Sequence, residues 1–379
     1  MRLVQGNEAV VWGALAGGCN FYAGYPITPA TEIMEYMARL LPGRGGVFIQ
    51  MEDELAALAA VIGAAWGGMR GMTATSGPGF SLMQEHIGYA AMSQTPCVVV
   101  DSQRVGPSTG QPTMPAQGDV MQARWGAHGD RPALVMTASS VKDVYDTTRL
   151  GFEWAYAYRV PVIILLDAVL SHMRENIELP AVAPSPEISQ PTGGMSPPFG
   201  PYPFVPFSAA TRTIVSGLAH DESGATRGSG IGAASERILQ GALRQIEKDA
   251  SRIARCRTDR LEDAEWAIVS YGITARAARS AIDLLRRDGV RVGLLELHTL
   301  WPFPEHIVRE VARKVRGMLM PELNLGQLVL PLRSAVEGIC PVSALGRADG
   351  ELFTPEAIAA AMTEEIQQIE VGGRVSHHA

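Results

Sequence analysis

Short apolar runs recur between Ala-rich or amphipathic stretches from residue 8 to about residue 175. Runs that are apolar throughout belong to strands buried on both faces, and such strands separated by helices make a parallel sheet covered on both sides. The pattern predicts strands at Phe21–Ala23, Val47–Ile49, Gly71–Ala74, Cys97–Asp101, Leu134–Met136 and Val162–Leu166, with an apolar helix over Leu55–Trp66. Several of these strands run into Gly, Ser, Thr or Pro and then a helix. Loops at the carboxyl ends of parallel strands are where such α/β folds bind ligands.

The pattern changes at Pro180. A Pro-rich and then Gly/Ser-rich stretch runs to about Gly232 and reads as linker or excursion, followed by a charged helix over Ala234–Arg255. A second α/β unit then begins, with strands at Ala267–Tyr271, Val290–Leu297 and Met318–Met320 and helices at Thr274–Arg287 and Glu305–Val315. The expected divisions are residues 1–178, a linker and charged helix over 179–262, a smaller domain over 263–350, and a C-terminal helix with a polar tail over 351–379. A chain of 379 residues needs more than one core in any case.

Charge narrows the partners. The net charge of -7 includes no basic run, which argues against nucleic acid, and no apolar stretch approaches the ~20 residues that span a bilayer. No signal peptide is evident, so a reducing cytoplasm is the expected location. Cys19, Cys97, Cys256 and Cys340 are scattered without a CxxC, and the eight histidines lack metal-ligand spacing, so no metal or iron–sulfur site is built from local sequence.

Four segments offer chemistry. Gly24-Tyr25-Pro26-Ile27-Thr28-Pro29 follows a strand, with Thr28 placed as N-cap and Pro29 as first helical residue; the free amides of that helix start suit a small carboxylate. Capping alone also accounts for a Thr-Pro pair. Gln50-Met51-Glu52-Asp53-Glu54 puts three acids in a helix's first turn, where the helix dipole stabilises acids. Glu54 is flanked by Leu55, Ala56, Ala57 and Leu58, and a carboxyl in apolar surroundings suits proton transfer. Thr75-Ser76-Gly77-Pro78-Gly79 lets a backbone approach a ligand closely, or makes a tight turn. Arg104, after a strand ending at Asp101, enters a Gly/Pro/Ser/Thr loop and can clamp a carboxylate in bidentate fashion or stay solvated. Gly228-Ser229-Gly230-Ile231-Gly232-Ala233 imitates a dinucleotide fingerprint but follows no strand, so a nicotinamide dehydrogenase is discounted.

In order along the chain, Gly6-Asn7-Glu8-Ala9, the Tyr-Pro-Ile-Thr-Pro segment, Gln50–Glu54, Thr73–Glu85, Gly106–Pro112, Gln117–Arg124, His128–Asp130, Gly217–Glu222, Leu300–Pro304 and Glu322–Leu328 resemble the alpha subunits of 2-oxoacid:ferredoxin oxidoreductases, in the 2-oxoglutarate:ferredoxin oxidoreductase version. The resemblance covers nearly the whole chain. It implies a pyrimidine-type thiamine diphosphate-binding fold followed by a transketolase C-terminal-like domain. It also implies CoA-dependent oxidative decarboxylation of a 2-oxoacid to an acyl-CoA and CO2 with reduction of ferredoxin, reversibly.

By the same resemblance, Glu54 falls on the glutamate that hydrogen-bonds the cofactor's pyrimidine N1', with Tyr25, Pro26, Ile27, Thr28, Ser76 and Gly77 around the cofactor. Thr28 and Arg104 fall on positions that engage the 2-oxoacid carboxylate. The metal–diphosphate motif of thiamine enzymes, Gly-Asp-Gly with an Asn ~30 residues on, is absent, and Mg2+ needs such oxygen ligands. A beta subunit is therefore expected to supply it, with an iron–sulfur cluster. Because the chain opens at Met1-Arg2-Leu3-Val4 with no fused gamma domain, separate gamma and small ferredoxin-like delta chains are expected too. The Gln-Met-Glu-Asp-Glu and Gln-Gly-Asp-Val-Met-Gln-Ala-Arg segments favour 2-oxoglutarate over the branched-chain 2-oxoacid and pyruvate versions. A non-catalytic scaffold of the same fold is the rival, and the joint presence of Thr28, Glu54 and Arg104 argues against it.

Overall fold

The structure, a computed structural model, describes residues 1–179, 215–221 and 225–375, without the side chains of 372–375. The Pro-rich stretch predicted as linker lies largely outside the described residues, as does part of the Gly/Ser-rich segment.

Six parallel strands form the centre of the larger sheet, in the order Leu134–Thr137, Pro161–Asp167, Cys97–Val105, Gly71–Thr75, Phe21–Gly24 and Val47–Gln50. The reason for their unbroken apolar character is visible in how side chains sort. Val98, Val100, Val162 and Ile164 enter one core with Val10, Ile33, Val144 and Phe152. Val99, Ile163 and Leu165 point the other way, to Leu58, Phe80, Val269 and Leu295. Both faces are covered, so alternation between polar and apolar has no place.

The smaller sheet runs Cys256–Asp259, Val292–Leu297, Trp266–Ser270, Met318–Glu322 and Val342–Gly346, parallel except for its first strand. The helices Thr274–Arg287 and Pro355–Val375 cover its outer face through Ala278, Ile282, Ile358 and Met362. The latter helix takes up Gly372–Val375, which the sequence reading placed in a polar tail. A short strand of this unit, Thr299–Trp301, leaves it to pair antiparallel with Leu134–Thr137 at the edge of the larger sheet.

A buried polar knot also ties the sheets together. Gln117, 1% exposed, donates from Nε2 to the Tyr271 carbonyl at 3.0 Å and accepts at Oε1 from the Thr274 hydroxyl and the Leu323 N–H, each at 3.0 Å. Asn324 returns a bond from Nδ2 to the Gln117 carbonyl at 2.7 Å. The knot leaves no room at Gly272, which has φ +59°; a Cβ there would fall on Gln117 Nε2 and close to Asp167 Oδ2. Only glycine meets both the left-handed backbone and the close approach.

Four expectations need correction. Thr28 does not cap a helix: residues 27–30 form a turn closed by the Ala30 N–H on the Ile27 carbonyl, and the helix is Thr31–Leu40 with Ala30 as its cap. The acids of Gln50–Glu54 do not share a first turn; Glu52 precedes the helix, Asp53 caps it by accepting the Ala56 N–H at 2.8 Å, and Glu54 alone begins it. Arg104 is not in a loop, because the strand Cys97–Val105 continues past Asp101, extended by pairing with Pro161–Asp167 up to Gln103 and with Gln111–Pro115 beyond. The charged helix is likewise displaced, to Ile231–Lys248 with a separate turn Ala250–Ile253, and Gly230, at φ +85°, serves as its cap. That assigns the imitation fingerprint a structural job.

Candidate active site at the carboxyl edge of the larger sheet

Four neighbouring parallel strands deliver the predicted site residues to one edge. The strand Phe21–Gly24 leads into Tyr25–Pro29, Val47–Gln50 into the helix Glu54–Trp66, Gly71–Thr75 into Ser76 and the helix Gly77–Met92, and Cys97–Val105 carries Arg104 near its end. Tyr25, Pro26 and Thr28 are exposed and Ile27 is half-buried, so this loop forms the rim.

Glu54 is the floor. It is 5% exposed, its helix is apolar from Leu55 on, and no described residue hydrogen-bonds its carboxylate. A buried carboxylate that no described residue meets costs stability unless water or a bound group donates to it. Opposite lies Gly79, in the first turn of the helix that follows Ser76; a Cβ there would collide with the Glu54 carboxylate and the Thr75 hydroxyl. Glycine thereby lets the Glu54 carboxylate pack directly against the start of this helix. Ser76, the cap of that helix, keeps its buried Oγ without a partner among the described residues. The residues present thus fit an aminopyrimidine whose ring nitrogen meets a carboxyl.

Arg104 connects the floor to the rim. Its Nη1 donates to the Thr28 carbonyl at 2.7 Å and its Nη2 to the Thr109 carbonyl at 3.4 Å, while its buried Nε has no partner. The predicted pair Thr28 and Arg104 is therefore brought together across 76 residues of chain, through the main chain of Thr28 and not its hydroxyl. Burial pushes the guanidinium's pKa down, and the nearby Asp101, Asp119 and Glu54 carboxyls act the other way. Arg104 holds the Tyr-Pro-Ile-Thr-Pro loop in place with its outer nitrogens, so an incoming carboxylate would have to share them or use Nε.

The sequence reading missed Asp101 and Asp119. The apolar run Cys97–Val100 makes Asp101 look like a strand's end, but in the extended strand it is fully buried beside Arg104. An acid inside an otherwise apolar parallel strand was the available signal. The reading also foresaw no metal spacing, yet Asp143, Glu296 and His298 bring ligand atoms within 4.8 Å of one another. Arginines already neutralise this cluster: Arg257 Nη2 donates to Asp143 at 2.7 Å, and Arg279 Nη2 to Glu296 at 2.5 Å. His298 Nε2 lies 2.6 Å from Glu296, so the group is a saturated ion-pair network between the two sheets.

With this geometry in place, comparison with known proteins adds a family. Residues 12–228 match the family model for pyruvate flavodoxin/ferredoxin oxidoreductase, thiamine diP-binding, and residues 264–358 that for pyruvate:ferredoxin oxidoreductase core domain II. The 2-oxoglutarate synthase subunit KorA of Methanothermobacter marburgensis is 47% identical over 94% of this chain and 96% of its own. The ketoisovalerate oxidoreductase subunit VorB of Methanothermobacter thermautotrophicus is 38% identical over 93% and 94%. A solved 2-oxoglutarate:ferredoxin oxidoreductase from Magnetococcus marinus, with 2-oxoglutarate, coenzyme A and succinyl-CoA bound, superposes with a TM-score of 0.83 at 34% identity. That match covers 96% of this chain and 65% of the solved one.

Proposed function

Because the chain belongs to the 2-oxoacid:ferredoxin oxidoreductase family, we propose that it is the alpha subunit of an enzyme converting 2-oxoglutarate and coenzyme A to succinyl-CoA and CO2 with reduction of ferredoxin. The observation that carries the reading is Glu54: a buried carboxyl at the carboxyl edge of a parallel sheet, without a hydrogen-bond donor among the described residues and packed against a glycine. Bound thiamine diphosphate supplies a nucleophilic carbon for attack on the 2-oxo group. Everything else the chain contributes is positioning and proton handling.

Glu54 would hold the N1' side of the aminopyrimidine through its carboxyl and there handle the proton that the ring exchanges. Tyr25, Pro26, Ile27, Ser76 and Gly77 shape the walls, with Gly79 letting the Glu54 carboxylate pack close to the helix start. The Arg104 guanidinium, joined to the Thr28 segment, orients the substrate carboxylate until CO2 departs. Diphosphate, Mg2+ and iron–sulfur ligands are the task of a beta subunit, with gamma and delta chains completing a cytoplasmic complex. Within the chain, residues 1–178 would form the pyrimidine domain and 263–350 the transketolase C-terminal-like domain. Among the described residues no helix is long and apolar enough to cross a membrane.

The test uses the assembled complex. Glu54→Gln should leave assembly intact and slow exchange of the cofactor's C2 proton by about 10²–10⁴-fold, the usual worth of a positioned acid–base group. An exchange rate equal to that of the parent removes Glu54 from the mechanism. Activity mainly on 3-methyl-2-oxobutanoate would keep the mechanism and change the substrate.

A further inference from the structure

Behind Arg104 lies a pair of carboxyls that the mechanism above does not use. Asp101 occupies the centre of the sheet, in register with Thr75 on one side and Leu165 on the other, and is fully buried. Asp119 precedes the helix Val120–Trp125 without capping it, and its backbone N–H is tied to Gln103 Oε1 at 3.0 Å. Gln103 in turn donates to the Leu166 carbonyl at 3.0 Å. These ties fix the Asp119 carboxyl against that of Asp101.

Both oxygens of Asp101 and Oδ2 of Asp119 are buried without a hydrogen-bond donor among the described residues. The Gly77 N–H lies near Asp101 but not in hydrogen-bonding alignment. Two ionised carboxylates in contact in such a place repel each other and leave their lone pairs unmet; one proton between them converts the contact into a short, charge-assisted bond. We propose that Asp101 and Asp119 share one proton at neutral pH and, as a singly charged positioning pair behind Arg104, keep the pocket attractive to the 2-oxoacid carboxylate. This rests on Arg104 being the group that receives that carboxylate.

Burial and the neighbouring acid both push Asp101 up, and burial pushes Asp119 up as well. The charged groups facing the pair are Arg104 from the same strand and, past Arg104, Glu54 from its helix; Thr75 and Leu165 on the flanking strands carry no charge. With one proton shared, Arg104 faces a single negative charge from the pair instead of two. Once the shared proton is lost on the alkaline side, a second negative charge stands beside Arg104 and opposes substrate.

The assembled enzyme should show an infrared C=O band of a protonated carboxyl at neutral pH. Asp119→Asn and Asp101→Asn should each abolish the band, since the introduced amide donates to the remaining carboxylate in the proton's place. In the parent, KM for 2-oxoglutarate should climb roughly ten- to hundredfold toward alkaline pH while kcat follows its own profile, the size set by one added charge at partial burial. In either variant that rise should vanish. Absence of the band, or variants with the parent's alkaline KM profile, overturns the proposal. Arg104→Lys separates the two ideas: a KM unaltered by it, with the carboxyl band intact, refutes the role given to Arg104 and with it the pair's influence on substrate, whereas a raised KM with no band refutes the pair alone.

Discussion

Replacing Gln117 by alanine tests whether the two sheets are held by their polar knot. The substitution removes three side-chain hydrogen bonds at once and strands the Tyr271 carbonyl, the Thr274 hydroxyl and the Leu323 N–H in a buried space. The two main-chain links, from the Gln117 N–H to the Leu323 carbonyl at 2.9 Å and from Asn324 to the Gln117 carbonyl, remain. Each buried polar group left without a partner costs ~1–3 kcal/mol, so the loss should be about 3–6 kcal/mol, allowing for some relaxation and water entry. At ~2–4 °C per kcal/mol for domains of 150–250 residues, and less for a longer chain, the melting temperature should drop by roughly 5–12 °C. Thermal melts followed by circular dichroism measure it. Gln117→Met leaves the same three groups stranded but fills the space, so it should fall about as far as alanine. A melting point within about 1 °C of the parent for both variants would refute the assignment of stability to these bonds; a loss confined to alanine would assign it to packing.

Two further substitutions probe neighbouring features. Gly79→Ala places a methyl on the Glu54 carboxylate and the Thr75 hydroxyl; because a displacement of ~1 Å at a site can cost about 10²-fold, kcat/KM should fall by that order while helix content is kept, and retention of a third of the activity would contradict the tight approach. Asp167 accepts the Leu170 and Ile273 N–H groups at 2.8 and 2.9 Å, yet burial pushes its carboxyl up to about 6 from 3.8. A carboxyl that binds its proton more tightly when folded favours the fold fully below the lower value and loses that advantage as pH rises through the upper one. Between pH 4 and 7 the parent should therefore lose about 2 kcal/mol relative to Asp167→Asn, read from paired denaturant melts, and a difference independent of pH would rule this out.

Much of the fold was legible because both faces of the larger sheet are buried: Val98 and Ile163 serve different cores, but both must be apolar, and the runs stand out. The site was legible where function and local signal coincide. Glu54 is the acid that opens an apolar helix, and Arg104 is a cation beside a Gly/Pro-rich loop. What could not be read were facts that depend on neighbours far along the chain. Strand Cys97–Val105 runs on through polar residues because other strands pair with it, so Asp101 looked like an end and Arg104 like a loop residue. The start of the helix at Thr31 was misplaced by the apparent cap at Thr28, because a turn closed between Ile27 and Ala30 intervenes. Neither the Gln117 knot nor the Asp143–Glu296–His298 network could be assembled from sequence, since Gln117 and Asp143 lie in the first unit and the groups they meet in the second.

The strand Thr299–Trp301 carries a consequence for synthesis on the ribosome. Its partner, Leu134–Thr137, is made roughly 160 residues earlier, and at ~5–20 residues per second the edge of the larger sheet stays open for about 8–30 s. During that interval Leu134, Val135 and Met136, all buried in the finished protein, border an unpaired strand edge of the kind that recruits other chains. The nascent larger sheet is thus most exposed to misassociation while the intervening residues are being made, and a slow stretch of translation there would lengthen the exposure. Moving Thr299–Trp301 away from its place in the chain would remove only this edge pairing and still lower the yield of folded protein.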